Sequence, residues 1–239
     1  MKSKHFLKGL IHGIPIFLGY LSVSFGFGIM AVRSGLSVVE AVAMSLFNLT
    51  SAGQAAGVGI IAAGGSITEM ILAQLTINIR YSLMSLSLSR KLDKSFTTPH
   101  RLAAAYGMTD EIFALASGQP GTVTPWYMYG MILISTIGWC LGTFLGAAAG
   151  SILPAEVSDA LGIVLYGMFI AIVIPPSKKE RGILAAVLIA AAMSTAIYFL
   201  LPFISGGFSV MICGVSVAVV CALLFPRSES TDGEDGDAA

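Results

Sequence analysis

Apolar residues run through this chain in long stretches that contain no charged residue. These stretches cover residues 9–32, 41–68, 112–155, 160–177 and 182–226. A transmembrane helix needs about 20 predominantly apolar residues, so each stretch is long enough to enter or cross a bilayer. The pattern predicts an all-α, polytopic membrane protein.

Clusters of glycine and proline divide the two longest stretches, because these residues break helices. The clusters lie within 118–125 and 202–207. After this division, the segments that we predict to cross the membrane are 9–32, 70–89, 126–150, 160–177, 182–203 and 207–225. Together they give about six full transmembrane helices in one membrane domain, residues 1–227.

Basic residues indicate which side of the membrane each loop occupies, since Lys and Arg concentrate in short cytoplasmic loops. They cluster at the N-terminus, in 90–101, in 178–181 and at Arg227. Both termini are therefore predicted to be cytoplasmic. A first helix leading outward, followed by two ordinary spans, would leave 90–101 outside, so one earlier segment must fail to cross.

Residues 41–68 are the best candidate for the segment that does not cross. Polar and small residues interrupt this segment from Ser51 to Gly59. They divide it into two pieces of about 12 residues, each of which reaches only halfway through the bilayer at about 1.5 Å per residue. We predict a broken or re-entrant helix pair that enters from outside, with its tip near 51–54.

The segment 102–122 must then start and finish on the cytoplasmic side, as a second broken element. Thr109, Asp110 and Glu111 lie near its middle. Two oppositely oriented broken elements would face each other, as in secondary transporters that are built from inverted repeats. Eight plain spans are the alternative.

Arg80 is a costly residue at its predicted position. It lies near the centre of the span 70–89, where a charge costs at least about 2.5 kcal/mol. Gln74, Asn78 and Tyr81 form a polar stripe on the same helix, and Arg80 points about 200° away from Asn78. Two roles stay open for Arg80, an ion pair with an acid of the second broken element or direct contact with a substrate.

Asp110 and Glu111 are the only acids well inside the predicted membrane region. A carboxyl group in such a place can bind a proton or an ammonium group, and reversible protonation couples proton flow to substrate movement. Adjacent helical residues diverge by about 100°, so we expect one acid to face a cavity and the other to face protein.

Four glycines recur at every fourth residue of the span 126–150, at Gly138, Gly142, Gly146 and Gly150. Such a groove allows very close approach of another helix. That helix belongs either to this chain or to a separate small subunit.

Sequence motifs for catalysis, phosphate binding and metal binding are absent. The three cysteines fall inside apolar spans and indicate neither a disulfide nor a metal site. We therefore expect no enzyme, no cofactor and no nucleic-acid partner. The acidic segment 228–239 has no apolar residue larger than alanine, and it is predicted to be a disordered tail.

The sequence resembles the AzlC family of branched-chain amino acid exporters, also called the LIV-E family. The resemblance covers residues 9–225, although Ser51 and Ala55 differ from residues common in the family. It rests on Gly-Ile-Pro-Ile at 13–16 with the glycines and aromatics that follow to residue 37, Gln54, Asn-Ile-Arg-Tyr at 78–81, and Thr-Asp-Glu-Ile-Phe at 109–113.

The resemblance implies a bacterial inner-membrane exporter of small apolar amino acids that works with a small AzlD-like membrane subunit. A zwitterion would bind between the broken elements, its carboxylate near a half-helix N-terminus or Arg80 and its ammonium near Asp110 or Glu111. The candidate substrate-binding residues are Gln54, Asn78, Arg80, Thr109, Asp110 and Glu111. The competing hypothesis is a membrane scaffold whose polar residues only hold helices together.

Overall fold

The computed structural model describes residues 2–150 and 177–225, together with 152, 154, 167, 170 and 173–175. Apart from one isolated bridge between Leu92 and Val123, regular structure in the described residues is helical. The helices are α1 (Lys2–Arg33), α2 (Val38–Phe47), α3 (Ser51–Ala62), α4 (Ile67–Ser89), α5 (Thr98–Tyr106), α6 (Asp110–Gly118), α7 (Pro125–Gly150), α8 (Arg181–Leu200) and α9 (Gly206–Leu224).

Four of these helices are long and apolar enough to cross a membrane, namely α1, α7, α8 and α9. The predicted all-α membrane class is confirmed, whereas six spans and an inverted repeat stay predictions. The helix α4 has 23 residues, which is long enough to cross about 30 Å of hydrocarbon, but its polar residues lower its hydropathy. The predicted tail 228–239 and most of the predicted span 160–177 lie outside the described residues.

Helices α1 and α7 run parallel and in close contact because glycines remove the side chains that would separate them. A Cβ atom at Gly138 would lie 2.7 Å from the backbone oxygen of Phe17. At Gly142 and Gly146 it would collide with the carbonyls of Leu21 and Phe25. These contacts favour the interpretation of the glycine repeat as packing within the chain.

The first segment expected to be broken forms the short helices α2 and α3, separated by residues 48–50. The break comes just before the predicted tip because Thr50 caps α3, accepting a hydrogen bond from the Gly53 N–H at 3.3 Å. Ala41 of α2 and Val58 of α3 share one buried cluster with Phe27 and Ala147. The pair therefore turns back to the end of the molecule at which it began.

The start of α2 is fixed by a capping box. The Ser37 hydroxyl accepts from the Glu40 N–H, and the Glu40 carboxylate accepts from the Ser37 N–H at 2.7 Å. These hydrogen bonds from the Ser37 backbone and hydroxyl hold the pKa of the Glu40 carboxyl below its usual value. The cap lies just after α1 ends, so α2 begins at the C-terminal end of α1.

The second segment expected to be broken forms α5 and α6, separated by residues 107–109. At the start of α5, His100 Nδ1 lies 2.6 Å from the hydroxyl of Tyr129. After the end of α6, Gln119 accepts a hydrogen bond from Lys8 Nζ at 2.9 Å. Both contacts lie at the N-terminal ends of α1 and α7, so this pair enters from the end opposite to α2 and α3.

The same end of the molecule carries two of the basic clusters. The Val123 N–H donates to the carbonyl of Lys91 at 2.9 Å, which joins the loop after α4 to the loop before α7. His5, beside the N-terminal lysines, lies 3.2 Å from the hydroxyl of Thr124. Placement of these clusters on one side agrees with the predicted topology, and their orientation in the membrane stays a prediction.

Glu69 links α4 to the start of α9. Its carboxylate is only 5% exposed, and it accepts hydrogen bonds from the Gly207 N–H at 3.0 Å and from the Ser205 hydroxyl. Because the N-terminus of a helix carries partial positive charge, a carboxylate stabilises it. No pattern in the sequence indicated this contact.

Replacing Glu69 by alanine is expected to lower the stability of the folded chain by about 2 kcal/mol, because buried donors lose their acceptor. Thermal unfolding of the purified protein in detergent measures the change. Glu40→Ala is the matched control, since it removes a capping carboxylate that is exposed to solvent. Equal shifts for the two variants would contradict this role of Glu69.

Candidate functional site

A cavity of about 800 Å³ lies where the breaks of the two half-helix pairs meet. Its volume is in the range of small-molecule sites. The start of α3 contributes Ser51 and Ala52, while the N-cap and first turn of α6 contribute the polar residues Thr109, Asp110 and Glu111. Other lining residues are largely apolar and come from α1, α4, α6 and α7, among them Pro15, Ile16, Val23, Ile77, Leu115 and Trp139.

The charged pair of the cavity joins α4 to α6. Arg80 Nη1 lies 2.8 Å from Asp110 Oδ2, and the two side chains are 43% and 38% exposed. Arg80 Nη2 also donates to the Tyr81 hydroxyl at 3.2 Å, while the Arg80 Nε is buried without a hydrogen-bond partner. The ion pair foreseen for Arg80 is therefore present, and its exposure leaves both charges accessible to a ligand.

Glu111 pairs with α1 instead. The Tyr20 hydroxyl lies 2.6 Å from both Glu111 Oε2 and Thr109 Oγ1. A hydroxyl has one proton to donate, so with an ionised Glu111 it donates to that carboxylate and accepts from Thr109. The two adjacent acids diverge as expected, but both line the cavity, rather than one facing a cavity and one facing protein.

Gln54 lies behind the cavity wall and does not line the cavity. Its side chain is fully buried, and its Oε1 accepts a hydrogen bond from Trp139 Nε1 at 2.8 Å. The Trp139 ring does line the cavity, and it meets the Tyr20 ring edge to face with centroids 5.0 Å apart. Gln54 is thus connected to the cavity through Trp139.

Asn78 also lies away from the cavity. Its amide nitrogen donates to Gln74 Oε1 at 3.0 Å, and Gln74 Nε2 donates to the carbonyl of Gly53 at 2.7 Å. These two polar residues pack α4 against α3, while Arg80 points to the cavity. Tyr81 differs from the predicted stripe, because it lines the cavity with Arg80.

The two half-helix N-termini at the cavity differ in charge. The first turn of α3 contains no acidic residue, whereas the first turn of α6 contains Asp110 and Glu111. Both N-termini carry partial positive charge. Asp110 and Glu111 offset this charge in α6, whereas no acidic residue of the first turn offsets it in α3. Among the described residues, no three His, Cys, Asp or Glu side chains lie close enough together to hold a metal ion.

Tyr20 and Trp139 are site residues that the sequence did not single out for chemistry. Each has a polar group at the end of an aromatic ring, and such a group needs a partner when it is buried. Their positions in the middle of long apolar helices could have marked them as candidates, but their partners could not be identified from spacing.

A family model described as AzlC protein matches residues 15–153. The chain belongs to the AzlC family. The match runs from α1 to the end of α7, which includes both half-helix pairs and nearly every residue of the cavity. No solved structure matches the chain.

Three relatives cover most of this AzlC-family protein. An uncharacterised membrane protein of Archaeoglobus fulgidus is 34% identical over 188 residues, covering 78% of this chain and 82% of the relative. Inner membrane protein YgaZ of Escherichia coli is 28% identical over 229 residues and 92% of each chain. The branched-chain amino acid transport protein AzlC of Bacillus subtilis is 25% identical over 180 residues, covering 74% of this chain and 69% of the relative.

Proposed function

We propose that this AzlC-family protein exports small apolar amino acids, branched-chain ones among them, across the bacterial inner membrane. The observation that carries the proposal is the cavity between two oppositely directed half-helix pairs, which combines opposite charges with an apolar wall. Discontinuous helices of this kind form the substrate sites of many secondary transporters. The name of the Bacillus relative, a branched-chain amino acid transport protein, supports the same substrate class.

The charges of the cavity fit a zwitterion. A substrate carboxylate binds toward Arg80 and the N-terminus of α3, where positive charge is available. The ammonium group binds toward Glu111 and Asp110. Since one guanidinium faces two carboxylates, an ammonium group or a proton balances the second acid. The aliphatic side chain of the substrate occupies the apolar part of the cavity, near Ile16 and Trp139.

Competition between a proton and the substrate ammonium for the same carboxylates couples export to the proton gradient. When the cavity opens outward, a proton binds Asp110 or Glu111 and displaces the ammonium group. When it opens inward, the proton leaves and the carboxylate is free to bind another substrate molecule. Such exchange is reciprocal, because two ligands that compete for one group weaken each other's binding.

The proposal also includes two partners of the chain, the lipid bilayer and a small AzlD-like subunit. Apolar residues recur at every fourth position of α4 and are exposed, at Ile67, Ile71, Leu75, Ile79 and Leu83. In a membrane this stripe packs against lipid or against the subunit. With the basic end in the cytoplasm, the N-terminus and the C-terminus both lie on the cytoplasmic side.

Export is tested with cells loaded with labelled valine, leucine or methionine that express this chain alone or with the small subunit. Accelerated efflux is expected for the functional assembly, and absence of efflux under every pairing would favour a scaffold.

Asp110→Asn is expected to reduce efflux at least about tenfold, because it removes a carboxylate and leaves Arg80 without its charged partner. Asp93→Asn, in the loop after α4, is the matched control and should retain efflux; full export by the Asp110 variant would rule out its coupling role.

A further inference from the structure

We propose that Gln54 is a positioning residue that sets which substrate side chains are accepted, by holding the Trp139 indole in place as a wall of the cavity. This proposal rests on the function proposed above. Gln54 itself is fully buried and touches no part of the cavity surface. Its effect on a substrate must therefore pass through the ring to which it is bonded.

A closed circuit of hydrogen bonds fixes the position of Trp139. The indole N–H donates to Gln54 Oε1 at 2.8 Å, and Gln54 Nε2 donates to Ser45 Oγ at 2.9 Å. Ser45 Oγ lies 2.7 Å from Thr143 Oγ1, which in turn donates to the carbonyl of Trp139 at 3.0 Å. The circuit joins α7 to α2 and α3 on both sides of their break.

The hydrogen-bond partners of Gln54 allow only one orientation of its side-chain amide. An indole N–H can only donate, so the amide oxygen must face Trp139 and the amide nitrogen must face Ser45. Leucine at this position would occupy a similar volume without accepting the indole hydrogen bond. The indole would then carry an unsatisfied buried donor, which favours movement of the ring to another position.

Movement of the ring changes the apolar part of the cavity and leaves the Arg80–Asp110 pair in place. Trp139 lines the cavity with Ile16 and Leu49, whereas Arg80 and Asp110 are held to each other from α4 and α6. A change of one methylene in an apolar pocket alters discrimination about 10- to 200-fold. The expected effect of Gln54 is therefore on selectivity by side-chain size.

Gln74 provides a matched control because it is a second glutamine that holds α3. It donates to the carbonyl of Gly53 at 2.7 Å, and its amide oxygen accepts from Asn78 at 3.0 Å, whereas the Trp139 indole donates to Gln54. If Gln54 acted only by keeping α3 in place, Gln74→Leu would change selectivity in the same way. If Gln54 acts through the indole, only Gln54→Leu will do so.

The test compares efflux of valine, leucine and phenylalanine for Gln54→Leu, Trp139→Phe, the double variant and Gln74→Leu, in the assembly that exports. Gln54→Leu and Trp139→Phe are expected to shift the ratio of large to small substrate in the same direction, by about tenfold for Gln54→Leu. The double variant should match Trp139→Phe alone, because the two residues act as one unit. Gln74→Leu should keep the ratio within about twofold of the parent.

Fluorescence gives a second measurement that needs no transport. The chain has two tryptophans, so Trp126→Phe leaves Trp139 as the sole indole. In that background, added valine and Gln54→Leu are each expected to change the emission of Trp139.

An unchanged ratio of large to small substrate in an active Gln54→Leu variant, or effects that add in the double variant, would overturn the role of Gln54. A parent that exports no amino acid and shows no response to valine would overturn the proposed function itself, and with it this role.

Discussion

Arg80→Ala is expected to reduce export of valine and leucine at least about 30-fold, equivalent to about 2 kcal/mol. Truncating one member of a buried charged pair costs about 2 to 5 kcal/mol. We expect the lower end of that range because both side chains are partly exposed, which weakens an ion pair. The variant removes the cation at the cavity and leaves Asp110, 2.8 Å away, without its partner. Efflux from loaded cells measures the loss, and size-exclusion chromatography shows whether the variant still folds.

The double variant Arg80→Ala with Asp110→Ala separates the two roles that are open for Arg80. If Arg80 serves only as an anchor for Asp110, the double variant should export no less than Asp110→Ala alone, because Arg80 has then lost its only role. If Arg80 also binds the substrate carboxylate, the double variant should export less than Asp110→Ala. We expect this further loss. Arg80→Lys keeps the charge but loses the planar fork that matches a carboxylate, so an intermediate rate is expected.

The second large effect is expected at the contact between α1 and α7. Any side chain at Gly146 would meet the carbonyl of Phe25 on the neighbouring backbone. Gly146→Leu should therefore destabilise the folded chain by about 3 kcal/mol or more, since neither helix backbone can move aside without separating the pair. The measurement is the yield of monodisperse protein after membrane extraction.

Gly59→Leu is the control for the glycine experiment. Gly59 is also a helical glycine, but a side chain there meets no other atom within 4 Å. Its replacement should leave the yield unchanged, because it adds an exposed side chain and a residue that favours helix. Parental yield of the Gly146 variant would show that the two helices are not held by this close contact.

Both breaks could be predicted from the sequence because charge and length constrain them. The basic segment 90–101 has to share a side with the N-terminus, so a segment before it had to turn back. The predicted tip at 51–54 comes slightly too late in the sequence, because the prediction rests on polar and small residues rather than on the helix cap. Gly53 lies inside α3 against the side chains of Gln74 and Asn78, and the helix starts where Thr50 caps it. The capping residue therefore marks the turn better than the polar and small residues do.

The charged part of the cavity could also be predicted, since Arg80, Asp110 and Glu111 are costly in a membrane without a partner. The aromatic part could not. Tyr20 contacts Thr109 across 89 residues of sequence, and Trp139 contacts Gln54 across 85. Neither periodicity nor spacing reports such pairs. The polarity of Gln54 indicated a buried partner, but only the tertiary structure decides that it faces Trp139 and not the cavity.

Recognition of a zwitterion with an aliphatic side chain is tested most directly by competition. Purified assembly in proteoliposomes is loaded with labelled valine, and efflux is measured with leucine, isobutylamine or isovalerate present. Isobutylamine lacks the carboxylate of valine, and isovalerate lacks its ammonium group. We predict saturable efflux that leucine inhibits, that the two analogues do not inhibit at the same concentration, and that Arg80→Ala removes. Equal inhibition by either analogue, or efflux that is unaffected by loss of Arg80, would contradict binding of both charges in this cavity.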